Sequence, residues 1–152
     1  MTARGRCTTL ALLCAWAAMA SAAEWTTARF ERRDGVFVVF NLELARSDAE
    51  RRQGLMHRRS LSPTAGMLFD FGADQDIAMW MRNTHVSLDM VFVSASGVIV
   101  DILPDAVPLS DTLLAPRAPA RYVVELLAGQ AAARGLAVGD RLRLPAALRT
   151  SP

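Results

Sequence analysis

The chain has 152 residues, 17 arginines, no lysine and 15 acids, for a formal net charge of +2, and 52% of it is hydrophobic. Lacking any lysine, it cannot run Schiff-base or lysine-base chemistry. Its length supports one domain with a single core.

Residues 1–23 read as an export signal. Arg4 and Arg6 make a short basic start, an apolar run follows from Leu10 to Ala20, and Ser21-Ala22-Ala23 offers a small-x-small cleavage site before Glu24. The apolar run has about half of the roughly 20 residues that a spanning helix needs. Cys7 and Cys14 both fall in this segment. The remainder, 24–152, therefore carries no cysteine, which excludes thiol nucleophiles, thiol redox chemistry and cysteine metal sites. Removing Arg4 and Arg6 also brings arginines and acids into balance. Without a basic stripe, no nucleic-acid partner is expected. The expectation is a periplasmic or secreted single domain over 24–152, with no membrane span after cleavage.

Val36 to Ala45 alternates, with Val36, Val38, Phe40, Leu42 and Leu44 on one face and Asn41 and Glu43 on the other, as in a half-buried strand. Ser47-x-x-Glu50 has the form of a capping box and starts a helix expected from Asp48 to His57. Gly54 weakens that helix by roughly 1 kcal/mol relative to alanine, which implies close packing there. Met67–Phe71 reads as a short strand, 72–76 as an acidic turn, 77–81 as strand-like, and Leu88–Ser94 as a strong strand. Ala95-Ser96-Gly97 is a hairpin turn, and Val98–Leu103 returns from it. Residues 104–120 contain four prolines and read as a loop of the kind usually ordered by packing or used in function. Tyr122–Leu127 is a strand, Gln130–Arg134 a short helix and Arg141–Leu144 a last strand. This pattern predicts an α+β domain: a mainly antiparallel, closed or partly open small β-barrel with one or two short helices.

Several motifs in order resemble the domain-of-unknown-function family 192. They are Glu43-Leu44-Ala45, Glu50-Arg51, Gly54-Leu55-Met56-His57-Arg58, Gly66-Met67-Leu68-Phe69-Asp70-Phe71, Met79-Trp80-Met81-Arg82-Asn83-Thr84, Leu88-Asp89-Met90-Val91-Phe92-Val93 and Tyr122-Val123-Val124-Glu125-Leu126, followed by Gly129, Gly135 and Gly139-Asp140. The resemblance covers nearly all of 24–152 and implies a compact, mainly β domain, often exported, without an assigned activity. The chain departs from the family pattern at Ser87, where a proline is usual before the Leu-Asp pair.

The densest chemistry lies between Met79 and Val93. Period-two counting puts Leu88, Met90 and Phe92 on one face of the strand and Asp89, Val91 and Val93 on the other, so Asp89 enters a strand buried on both sides. A buried carboxylate must be paired or protonated. Asp89 is either a brace accepting hydrogen bonds from nearby groups or a site acid coupled to Arg58 or Arg82. The two arginines suit an anion, internal or from a ligand, and Arg58 also suits a helix C-terminus. Trp80 is either core or a ligand wall. The methionines at 56, 67, 79, 81 and 90 fit core packing better than Cu(I) ligation, so no metal or cofactor is expected. Glu125 is either a second semi-buried acid or solvent-facing. The resulting expectation is a domain that binds a small polar ligand or peptide in a cleft of Arg58, Trp80, Arg82, Asn83, Thr84 and Asp89. The alternatives are an envelope-acting hydrolase or transferase using Asp89, and a non-catalytic structural or interaction module. Enzyme signatures are weak, with no Gly-x-Ser-x-Gly.

Overall fold

The computed structural model describes residues 23–149. Apart from Ala23, the expected export signal and both cysteines lie outside the described residues. Among the described residues, no helix is long and apolar enough to cross a membrane.

Among the described residues, seven strands form one mixed sheet: β1 (Trp25–Glu31), β2 (Phe37–Ala45), β3 (Ala65–Gln75), β4 (Leu88–Val93), β5 (Ile99–Ala106), β6 (Ala120–Leu127) and β7 (Arg141–Arg143). Their order is β5-β4-β6-β3-β2-β1-β7. The described residues also form three short helices: α1 (Asp48–Gln53), α2 (Gln130–Ala133) and α3 (Ala146–Arg149).

The expected barrel needs two corrections. The sheet is an open half-barrel: β5 and β7 share no ladder and meet only at one end, where Val98 bridges Arg141. It is also not purely antiparallel, because β2 and β3 run parallel, with Leu42 opposite Gly66 and Leu44 opposite Leu68. A parallel pair cannot close through a tight turn. Residues 46–64 make that crossover and carry α1.

Several elements differ in length from the sequence reading. The capping box is present: the Glu50 amide donates to Ser47 Oγ at 3.2 Å, and the Ser47 amide donates to Glu50 Oε2 at 2.9 Å. α1 nevertheless ends at Gln53, because Gly54 takes φ 47° and a Cβ there would sit 3.2 Å from Phe69 Cζ. β3 continues through the expected acidic turn to Gln75, with a register shift between Asp70 and Gln75. The 77–81 segment is irregular, with a single bridge from Met79 to Leu114. β5 runs on to Ala106, past Pro104. β1 was not expected from the sequence. Its inward positions are Thr26, Ala28 and Phe30, and only Phe30 is a large apolar residue.

Both faces of the sheet are covered. Inside the half-barrel, all seven strands contribute to a core that includes Phe30, Phe40, Leu68, Val91, Val93, Val124 and Leu142. On the outer face, the central strands supply Met67, Phe69, Met90, Phe92 and Val123 to a second core, covered by Leu55, Ile77 and Met81. β4 is accordingly buried at every position, with the side-chain alternation expected from period two. The outer layer also buries Glu43, which the sequence pattern had placed on a solvated face.

Candidate functional site

Two buried acids sit on opposite faces of the central strands. Asp89 lies on the inner side. Its Oδ1 accepts from the Asp105 amide at 3.1 Å and its Oδ2 from the Ala131 amide at 2.9 Å. α2 has no side-chain cap of its own, so Asp89 serves one of the free amides of its first turn. The carboxylate therefore ties β4 to β5 and to α2. It is 1% exposed and reaches neither expected arginine. Arg58 instead pairs with buried Glu43 at 2.5 Å, and Arg82 pairs with Asp111 at 2.7 Å. Asp89 is thus closed to solvent and satisfied by backbone amides, with both expected arginines paired elsewhere. Arg58 is not a helix-terminal cation either, since α1 stops five residues before it.

Glu125 lies on the outer side. Across the sheet, Glu43, Met67, Glu125, Met90 and Leu103 form one transverse row. Glu125 therefore stands between two methionines, 4% exposed. Among the described residues its carboxyl has no hydrogen-bond or ion-pair partner. Among the described residues no fully sealed side-chain oxygen or nitrogen lacks a partner, so the Glu125 oxygens must reach open space. That space is a narrow pocket of about 30 Å³ with Glu125 in its lining, room for a water or two. Its walls include Gly54, Leu55, Met56, Phe69, Met79, Trp80 and Thr84, and Arg51, Arg52 and Arg82 also line it. Burial, with nothing to offset it, pushes the Glu125 carboxyl up to about 8. At neutral pH it is mainly a neutral acid and can donate a hydrogen bond.

A wider basin of about 230 Å³ adjoins this pocket and shares Arg51, Arg52, Met79 and Trp80 with it. Asp48, Phe71 and Ala78 complete its lining. Trp80 is 40% exposed, with the Arg82 guanidinium 4.4 Å above its ring. Arg51 is committed to the Arg46 and Asp70 carbonyls and to Asp48. Arg52 is exposed and has no partner among the described residues.

The walls are held by unusual backbone. His57, Asn83 and Leu109 all adopt positive φ. The His57 amide donates to the Asn83 carbonyl at 2.7 Å, and the Leu109 amide to the Thr84 carbonyl at 3.0 Å. These bonds tie three irregular segments together over the outer face. At the expected proline position, Ser87 Oγ donates to the Ala106 carbonyl at 2.9 Å, so a side-chain bond secures the entry to β4.

Of the expected site residues, Trp80, Arg82 and Thr84 line one pocket. Asn83 stands beside it, with its Nδ2 4.0 Å from Met56 Sδ. Arg58 and Asp89 lie elsewhere. The sequence reading did not assign Arg51, Arg52 or Met56 to the site and left Glu125 open. The missed signal for Glu125 was the one used for Asp89: apolar residues at both parities around it, from Tyr122 to Leu127. The methionines at 67, 79, 81 and 90 belong to the outer layer, and Met56 lines the pocket within it. The two histidines are exposed. Among the described residues, no three His, Cys, Asp or Glu side chains cluster as metal ligands.

A family model described as Uncharacterized ACR (DUF192) matches residues 29–144. The chain belongs to that family. DUF192 membership agrees with the motif resemblance, and the matched span runs from β1 to the residue after β7. A Sinorhizobium meliloti crystal structure, provisionally described as a transcription regulator, is 40% identical, with a TM-score of 0.79 over 81% of this chain and 95% of that one. A Novosphingobium aromaticivorans protein of unknown function is 34% identical, with a TM-score of 0.77 over 82% of this chain and 89% of that one. No curated protein matches the chain.

Proposed function

We propose that this DUF192 domain is an exported binding domain and that the Glu125 pocket receives the polar end of a small ligand or peptide side chain. The observation that carries this reading is the Glu125 carboxyl, buried beside a cavity without a protein partner. A buried polar group left unpaired costs free energy, and a ligand group or water that bonds to it recovers part of that cost. Among the described residues, every other buried acid has a partner: Glu43 has Arg58, Asp89 and Asp140 have backbone amides, and Asp101 has the Arg117 amide. The pocket is also concave, and its lining brings Leu55, Met56, Phe69, Met79 and Trp80 together with the polar side chains of Gln53, Thr84 and three arginines.

The reading predicts that fragments carrying one small polar head will shift the NMR signals of the Trp80 indole and the Thr84 amide. Glu125→Leu should abolish those shifts while the fold persists. Shifts that survive in Glu125→Leu would refute Glu125 as the anchor. Export is supported by the basic, apolar and small-residue order of residues 1–23 and by the absence of cysteine after them. Cell fractionation with N-terminal sequencing checks it: the expected product begins at Glu24 outside the cytoplasm, and a cytoplasmic chain retaining residues 1–23 would contradict it.

A further inference from the structure

We infer, on the basis of that binding reading, that the occupant is a small organic anion: a neutral acceptor at its leading end takes a hydrogen bond from Glu125, its apolar body lies against Trp80 and Phe71, and its negative group meets Arg52. Charge around the pocket selects the sign. α1 brings Arg51 and Arg52, and the 76–87 segment brings Arg82. Asp48 already neutralises Arg51, and Asp111 neutralises Arg82. On the sheet, the cross-strand neighbours of Glu125 are Met67 and Met90, neither charged. Glu43 lies two strands away and is held by Arg58. The unbalanced charge at the mouth is therefore the positive one of Arg52.

Shape selects the arrangement. The inner pocket admits one small group, whereas the basin holds a larger body and carries the aromatic surface of Trp80 and Phe71. Arg52 lines both spaces, so an anion lodged in the basin can meet it while the opposite end reaches Glu125. A cationic ligand fits this arrangement poorly. It would pass three guanidinium groups and require Glu125 to release its proton at a buried position. An acceptor-bearing anion uses Glu125 in its neutral form and needs no proton release.

The test compares three fragments of one shape: 4-acetylbenzoate, 4-acetylbenzamide and 4-(aminomethyl)acetophenone. Each is titrated into the purified protein with the Trp80 indole signal as readout. The benzoate should bind about tenfold more tightly than the benzamide, the increment of one charge-assisted contact. The ammonium fragment should be the weakest. Arg52→Ala, at an exposed position, should reduce the benzoate to the benzamide's affinity. Raising the pH from 6 to 9.5 should weaken the benzoate as Glu125 ionises. Tightest binding by the ammonium fragment, or an undiminished benzoate preference in Arg52→Ala, would overturn the anion assignment while leaving the pocket as a binding site. If none of the three moves Trp80 or Thr84, both the anion assignment and the binding reading fall.

Discussion

The two faces of β4 and β6 each bury an acid, and the two acids differ in how they are satisfied. Asp89, on the inner face, receives one backbone amide on each oxygen and is closed to solvent. Glu125, on the outer face, is almost as deeply buried but opens onto a cavity without a protein donor. Burial alone therefore does not mark a site. What separates a brace from a site candidate is the accounting of hydrogen-bond partners, because a satisfied buried carboxylate holds the fold together whereas an unsatisfied one only costs stability.

The largest expected effect is that of pH on Glu125. The Glu125 carboxyl titrates at about 8 when folded, against an ordinary value of 4.5. Its folded value is raised, so its contribution is fully present below about 4.5 and is lost as pH rises through about 8. At about 1.4 kcal/mol per pH unit, the loss approaches about 5 kcal/mol. Urea unfolding at pH 5 and pH 8.5 should show most of that decline, about 4 kcal/mol, in the wild type and a much flatter profile in Glu125→Gln. Equal slopes in the two proteins would mean that Glu125 is not the buried neutral acid described.

Asp89 is tested through its hydrogen bonds. Asp89→Asn turns an NH₂ toward one of the two amides and should cost about 3 kcal/mol, measured by urea unfolding at neutral pH. Fragment binding in the outer pocket should survive wherever the variant remains folded. A loss of binding without a loss of stability would return Asp89 to the site. The smallest effect concerns α1, which carries Arg51 and Arg52. Ser47→Ala removes the cap and should cost about 1 kcal/mol. The Ser47 and Arg46 amides, and after them the Ser47 hydroxyl, hold the Glu50 carboxyl below its usual range; alanine keeps both amides, so NMR titration of Glu50 should show only the hydroxyl's share of that shift lost.

Much of the sheet was legible because its strands alternate or are continuously apolar, and the cap of α1 was legible because Ser47 and Glu50 have the required spacing. The parallel β2–β3 pair was not legible: a strand's own pattern does not say which neighbour it joins or in which direction. The early stop of α1 depends on Phe69, a residue of another strand. The site was half legible. Trp80, Arg82 and Thr84 stand out as a polar cluster next to an apolar strand, and they do reach the pocket. Glu125 was ambiguous because a single acid in an apolar strand looks the same whether it is braced or open. Only the fold shows that amides reach Asp89 and none reach Glu125.

The parallel crossover has a consequence for how the pocket comes into being. The inner pocket draws one wall from residues 51–56 within that crossover, while Phe69 on β3 and Glu125 on β6 lie on the sheet itself. Pairing β2 with β3 across residues 46–64 is a slow kind of step, since a long connection must close before the pairing rewards it. A chain that has formed the β4–β5 hairpin but has not yet set β3 between β2 and β6 has Glu125 in water, where it ionises normally. The buried, unpartnered setting of Glu125 is thus a late product of folding, and the rate at which Glu125 acquires its raised titration would time the completion of the sheet.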